Sequence, residues 1–318
     1  MRRLIRGLSA LALAAGAACT VQAAPAAGVR QEHVDGYRFQ IVTADDSELT
    51  RRIADDLGRR LVPVFAGFRT ELAQQRRMLY VAVGPAALRE VAARRCDCVA
   101  IAAFTSSQVF RAIVGKLPPA RAGAITAVYA EPAPADQLRL ASMLYRRSPL
   151  HVAAILGPDT AFLKSALAVD GVDVLDAGPG DDINRLLNRI DQADVLLALP
   201  DSAVYNNENF RNILLSTYRR KQGVIGFSGD MVKAGALATT YSDIEDIDAQ
   251  VAEIAASYVA GGELPAPQFP RYFRTAVNEG VAGSLEVSLS DAVRRFARPA
   301  PAAPHAPARP PAPSAAWR

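Results

Sequence analysis

This chain is poor in the residues on which most metal and acid–base chemistry depends. It holds three histidines, three cysteines and one tryptophan among 318 residues, and aromatic residues make up only 7%. His33 lies near the beginning, His151 opens an apolar run and His305 stands in a proline-rich end. No H-E-x-x-H pair exists, and none of the three is placed to serve a metal or to act as a general base. Neither G-x-x-x-x-G-K-[ST] nor G-x-G-x-x-G occurs, so both nucleotide fingerprints are missing. No cofactor and no metal are expected. After the first residues, no apolar run approaches the ~20 residues that a transmembrane helix needs.

Charge is equally unspecific. Lys and Arg number 36 against 32 Asp and Glu, a formal net charge of +4 that comes from scattered arginines. Nucleic-acid binders carry a basic stripe interleaved with aromatics, and none is found, so no nucleic-acid partner is expected. Half of the residues are hydrophobic and 21% are charged, the composition of an ordinary globular protein. The length suits two domains.

What is present begins at the N-terminus. Met1-Arg-Arg-Leu-Ile-Arg is a charged opening, Gly7 to Cys19 is rich in Ala and Leu, and Val21-Gln22-Ala23 resembles a small-x-small cleavage site. This predicts a signal peptide over 1–23 and a periplasmic protein. Gly16-Ala17-Ala18-Cys19 also resembles a lipobox, which would make Cys19 a lipidated first residue. It lacks the usual aliphatic residue three positions before the cysteine. Cys96 and Cys98 leave three readings open: a tight disulfide, two thiols without a role, or two soft metal ligands lacking partners to complete a site.

From residue 37 apolar runs alternate with helical patterns. Strands are predicted at 37–43, 79–83, 98–103, 124–129, 151–156, 172–175, 195–199 and 223–227, with a late one at 269–277. Between them lie amphipathic helices. The first is capped by Asp45, Asp46 and Ser47 and is expected to break at Pro63; a long one covers about 243–260 and stops at Gly261-Gly262. Alternation of this kind predicts an α/β fold with parallel sheets. The Glu131-Pro-Ala-Pro134 segment divides the units into two halves. From Ala297 the chain is Pro- and Ala-rich, and a disordered tail is expected over 297–318.

The stretch Asp194–Thr240 organises the second half. Val195–Leu199 ends at Pro200-Asp201-Ser202, a helix follows Asn206, and Gly223-Val-Ile-Gly-Phe forms a second strand ending at Ser228. In open α/β sheets, ligands bind at loops leaving the carboxyl ends of strands. Gly226-Phe-Ser-Gly-Asp230 nearly matches the G-x-S-x-G elbow of α/β-hydrolases. The last position is Asp, and the only later histidine is His305 in the tail, so Ser228 reads as a ligand contact and not as a nucleophile.

Several segments together resemble a known family. They are Tyr129-Ala-Glu-Pro-x4-Gln137-Leu-x-Leu140, Val152-Ala-Ala-Ile-Leu-Gly-Pro158, Leu199-Pro-Asp201, Val224-Ile-Gly-Phe-Ser228 and Lys233-Ala-Gly-Ala-Leu-Ala-Thr239. In this order they are similar to ABC-transporter substrate-binding proteins, in the group that includes tryptophan/tyrosine-type binding proteins. The resemblance covers roughly Leu79–Leu285. It implies the type I periplasmic-binding-protein fold, two Rossmann-like lobes joined by three crossovers and closing on a ligand. One lobe would comprise 36–128 plus 241–264 and the other 129–240 plus 265–296, with crossovers near Tyr129, Thr239 and Phe269.

The chain departs from the family where ligands bind. The first crossover is Ala127-Val-Tyr129-Ala-Glu131 in place of a Thr-Gly turn, and the loop after the first strand of the second lobe is Gly157-Pro-Asp159-Thr160. The resemblance therefore implies the scaffold and leaves the ligand open. Polar residues at strand ends nominate Thr43, Thr105, Ser106, Tyr129, Asp159, Thr160, Asp201 and Ser228 as ligand-binding. Asp201 would receive an ammonium, the hydroxyls a carboxylate, and Tyr129 would stack on an apolar part. Asp159 would equally serve as a helix cap, and Thr43 as an edge residue.

The expected function is that of an exported, non-enzymatic and monomeric binding protein. It would present a small molecule, for instance an amino acid or a related organic solute, to an ABC permease in the inner membrane. A sensor that hands its closed form to a membrane receptor is the alternative, and a serine hydrolase a distant third.

Overall fold

The computed structural model describes residues 38–67 and 76–303. The expected signal peptide, Cys19, His33 and the stretch from 304 that contains His305 lie outside the described residues. In chain order the first half runs β1 (Phe39–Thr43), α1 (Glu48–Gly67), β2 (Met78–Val83), α2 (Gly84–Ala93), β3 (Cys98–Thr105), α3 (Ser107–Val114), α4 (Pro119–Ala122) and β4 (Ile125–Tyr129). The second continues through α5 (Pro134–Tyr145), β5 (Val152–Leu156), a 3-10 turn at Ala161–Leu163, α6 (Lys164–Val169), β6 (Asp173–Asp176), α7 (Ile183–Arg189), β7 (Val195–Leu197) and α8 (Asn207–Arg219). It ends with β8 (Gly223–Ile225), α9 (Gly229–Ala234), β9 (Ala238–Tyr241), α10 (Ile244–Gly261), β10 (Arg274–Val277), α11 (Glu279–Ser284) and α12 (Asp291–Arg294).

Two sheets result. One has the order β1-β2-β3-β4 and is parallel throughout; the other has the order β10-β9-β8-β7-β5-β6 and is parallel except at β10. The strands are near-continuous apolar runs because helices cover both faces of each sheet. On one face of the first sheet, α1 and α10 bury Ile53, Leu57, Leu61, Val251, Ile254 and Tyr258; on the other, Leu88, Val91 and Phe110 pack on Ala100 and Ala102. The second sheet is covered by α5, α6, α11 and α12 on one side and by α7 and α8 on the other. α10 follows β5–β9 of the second sheet in sequence, yet it packs along α1 of the first.

The chain therefore passes between the sheets three times, and the passages are tied together. Gln268 lies beside the end of β4, its N–H donating to Ala127 O at 3.0 Å and its carbonyl accepting from Tyr129 N at 3.0 Å. Ser242 Oγ donates to Tyr272 O at 2.6 Å. Gln250 on α10 donates to Gln268 Oε1 and accepts from Arg271 N, at 3.0 and 2.7 Å. The chain is α/β with the type I periplasmic-binding-protein architecture.

Two local expectations need correction, and one strand was not expected. α1 does not break at Pro63 but runs through it to Gly67. Pro63 is on the exposed face, where water can satisfy the carbonyl that loses its partner. Leu61, Val64 and Phe65 hold both flanks on the core, with Phe65 4.8 Å from Phe39 between ring centroids. Ala238–Tyr241 forms a strand that pairs with β8 and β10. The start of the expected tail is also bound: Arg298 exchanges backbone bonds of 2.8 Å with Phe273, Ala300 N donates to Asp246 Oδ1 at 2.9 Å, and Arg60 Nη1 donates to Pro301 O at 3.2 Å. Composition alone missed these bonds because each partner is remote in sequence. Cys96 and Cys98 are joined by a disulfide, and among the described residues no group of three or more His, Cys, Asp or Glu could hold a metal ion.

Candidate functional site

In both sheets the loops at strand carboxyl ends carry the nominated residues, and the sheets meet there. Arg111 on α3, just beyond the end of β3, lays its guanidinium over the ring of Phe162, 4.3 Å from the centroid. Phe162 belongs to the 3-10 turn that follows the carboxyl end of β5. This contact brings the two sets of loops face to face beside the passages.

On the side of the first sheet, β3 ends irregularly. Its pairing with β4 shifts register between Ala103 and Thr105, and Phe104 adopts a left-handed φ of 56°. That backbone region is unfavourable for a bulky side chain, so packing of Phe104 against the core must hold it there. The kink turns Thr105 inward, where it is fully buried and its carbonyl accepts from Ala130 N at 3.1 Å. Ser106 is the N-cap of α3, half-exposed, and its side chain makes no capping bond.

Glu131, from the first passage, caps that helix instead. Its carboxylate accepts from Ser107 N at 2.9 and 3.2 Å. Burial pushes its pKa above the ordinary carboxylate value, and the bonds from Ser107 pull the other way. Tyr129 is buried in the core, its ring packed edge-on against Phe110 and Phe269 at 5.7 and 5.1 Å. Burial raises its pKa, the Glu131 charge adds to the rise, and Arg111 opposes it. Thr43, at the end of β1, is buried as well.

On the side of the second sheet, three nominees and Ser202 clasp one another. Asp201 Oδ2 accepts from Thr160 N at 3.0 Å and from Thr160 Oγ1 at 2.9 Å, while its Oδ1 accepts from Ala203 N at 3.1 Å. Asp159 Oδ2 reciprocates by accepting from Ser202 N at 3.1 Å and Ser202 Oγ at 2.5 Å. Asp201 and Thr160 are 2% and 1% exposed. Gly157 makes room for the clasp, since a Cβ there would lie 2.2 Å from Asp201 Oδ1. Ser228 is the N-cap of α9, accepting from Met231 N at 3.3 Å. Its hydroxyl is a cap, and among the described residues no histidine is bonded to it.

The structure thus brings Asp159, Thr160 and Asp201 together, keeps Ser106 accessible, and sets Thr105 and Tyr129 in the interior. It adds residues that sequence reasoning did not nominate: Gln108, Arg111, Glu131 and Phe162. Glu131 was visible as part of the segment dividing the two halves. The other three carry no sequence signal, since each lies inside a helical turn. Two resembling segments also meet in space. Gln137 Nε2 donates to Thr239 Oγ1 at 2.9 Å and to Gly226 O at 2.5 Å, and its Oε1 accepts from Thr240 N at 2.8 Å. This buried amide fixes α5 to the ends of β8 and β9, with its partners fully satisfied.

No protein-family model matches the sequence, and no curated protein matches it. Among solved structures, it is similar to the ligand-free, open structure of a substrate-binding protein with adhesive properties from Clostridium difficile. That comparison has 14% identity and a TM-score of 0.53, and it covers 77% of this chain and 93% of that one. It is also similar to an ABC domain in complex with L-Trp from Streptococcus pneumonia, at 14% identity and a TM-score of 0.47, covering 78% and 92%. A conserved domain protein from Vibrio cholerae matches at 16% identity and a TM-score of 0.46, covering 76% and 93%. The chain shares the fold of that Clostridium difficile substrate-binding protein. No helix among the described residues is long and apolar enough to cross a membrane.

Proposed function

We propose that this chain is an exported, non-enzymatic solute-binding protein that takes a small molecule between its two lobes and presents it to an ABC permease. The observation that carries the reading is the lobe-to-lobe contact of Arg111 and Phe162 beside three tied passages. It sets the carboxyl-end loops of two parallel sheets against each other, where such sheets bind ligands. Closure would be a hinge motion absorbed by the passages at 130–133, 242–243 and 262–273.

In this reading the accessible nominees Ser106, Asp159 and Ser228 border the ligand. Thr105, Tyr129, Thr160 and Asp201 build the walls that hold them. A hydrolytic role for Ser228 is disfavoured because its oxygen already accepts the helix N–H that it caps. Export through residues 1–23 and a monomeric state belong to the same proposal.

A thermal-shift screen of the mature protein against amino acids, sugars and small organic acids tests it. A solute at 100 times its Kd adds about 2.7 kcal/mol of apparent stability. Absence of any shift across these classes would count against binding. A shift without co-purification of a permease would turn the reading toward a sensor.

A further inference from the structure

Resting on the binding role proposed above, we propose that Arg111 is the anion-recognising group of the cleft, and that the solute is a small carboxylate with an apolar or aromatic body and no ammonium group. Two independent observations lead there. The first is the position and freedom of the cation. Arg111 is exposed, and among the described residues its guanidinium has neither a hydrogen bond nor an ion pair; its one side-chain partner is the Phe162 ring. Among the described residues it is the cation–aromatic pair that spans the two lobes, since Arg94–Tyr80 lies within one lobe and Arg139–Phe296 within the other. Guanidinium presents a planar fork of N–H donors that matches a carboxylate in two parallel bonds. Contact with the ring is through the π-face of Phe162, and among the described residues no acceptor engages those N–H donors.

The second observation is the state of the acidic groups around the cleft. An amino acid's ammonium needs a carboxylate to receive it, and Asp201 was the candidate. Asp201 already accepts three bonds from Thr160 and Ala203, Asp159 accepts two from Ser202, and Glu131 is held by Ser107 N in a buried position. Moving any of them to a ligand would strand backbone N–H groups, at a cost comparable to the bond gained. What is left at the turn before Arg111 is a neutral acceptor: Gln108 Oε1 is buried and has no partner among the described residues. That atom suits a ligand hydroxyl or neutral N–H. A free cation, a free neutral acceptor and an aromatic wall describe an organic acid, not a zwitterion.

The test uses calorimetric titration of the mature protein with phenylacetate, 4-hydroxybenzoate and indole-3-acetate. Their primary amides, phenylalanine, tryptophan and D-ribose are the comparison probes. The expected result is binding of at least one of the acids, with its amide at least tenfold weaker. Arg111→Gln should lose at least tenfold in affinity for the acid and almost none for the amide, while Arg111→Lys recovers part of the loss. The amide comparison is made on wild-type protein, so the inference stands or falls even if a variant folds poorly. Tight binding of ribose or of the amino acids, unaltered in Arg111→Gln, would overturn the anion assignment and leave the binding role intact. Failure of every probe would overturn both. If the stack only latches the lobes, Arg111→Gln and Phe162→Ala alter compactness in scattering without altering acid-over-amide preference, which also overturns the inference.

Discussion

The two sets of loops that meet at the cleft are built on opposite principles. Those of the second sheet are closed upon themselves: Asp201 grips Thr160 and Ala203, Asp159 grips Ser202, and Ser228 caps its own helix. Those of the first sheet leave groups available, with Ser106 making no capping bond, Gln108 holding an unpaired oxygen and Arg111 stacked but not ion-paired. The buried aspartates of the two lobes differ in the same sense. Asp201 has a full set of partners, whereas Asp248 on α10 is fully buried and neither of its oxygens is hydrogen-bonded among the described residues. One side is preformed wall and the other carries the unmatched polarity. Recognition of polar solute groups is expected from the latter.

The largest test of this contrast is Asp201→Ala. It leaves buried N–H groups without acceptors and should lower unfolding stability by about 3 kcal/mol in a urea titration. A stable variant that loses only solute affinity would place Asp201 among the ligand contacts and erase the distinction. Gly157→Ala probes the same clasp by crowding. With its Cβ 2.2 Å from Asp201 Oδ1, it should cost about 2 kcal/mol by the same titration.

Asp248 tests the other lobe through pH. Burial first, and then the charge of Asp56, raise its pKa from 3.8 to about 9, while Arg60 opposes the rise and Glu245 adds to it. Across that interval the folded chain keeps a proton that the unfolded chain has lost. The site therefore favours folding below pH 3.8, and that contribution drains away as pH rises toward 9. Asp248→Asn removes the dependence and should be more stable than wild type at pH 8, the gain shrinking at pH 5. A difference that does not vary with pH would show that Asp248 is ionised and partnered in the fold. Smallest of all, Ser228→Ala should cost about 1 kcal/mol through the lost cap of α9, read as a shift in thermal midpoint. A larger change in solute affinity than in stability would assign the hydroxyl to the ligand.

Much of the fold was legible because α/β patterning is local. Apolar runs such as Leu79–Val83 and Val152–Leu156 are strands buried on both faces, and Asn206 is a cap whose side chain accepts from Asn209 N, three residues on. The Pro63 break and the free tail at Ala297 were misjudged because their outcome depends on partners far away: Phe39 across the core, and Phe273, Asp246 and Arg60 beside the tail. The nominated site was legible in the same partial way. Strand-end position can be read from sequence, and it picked Asp159, Thr160 and Asp201, which do sit together. Whether such a side chain faces a ligand or a neighbouring loop depends on the loop opposite, and sequence carries no account of that.

By itself, then, the sequence determined the order of strands and helices apart from β9, some of the caps and the residue types at their ends, since each follows from periodicity and from bonds spanning a few positions. Only the tertiary structure decided which polar ends are already matched. It took the meeting of 157–160 with 201–203 to engage Asp201, the return of the chain at Glu131 to cap α3, and the approach of the two lobes to set Arg111 on Phe162. The physical reason is that a hydrogen-bonding group has finite capacity. What remains of that capacity for a solute is known only once every neighbour in space has taken its share.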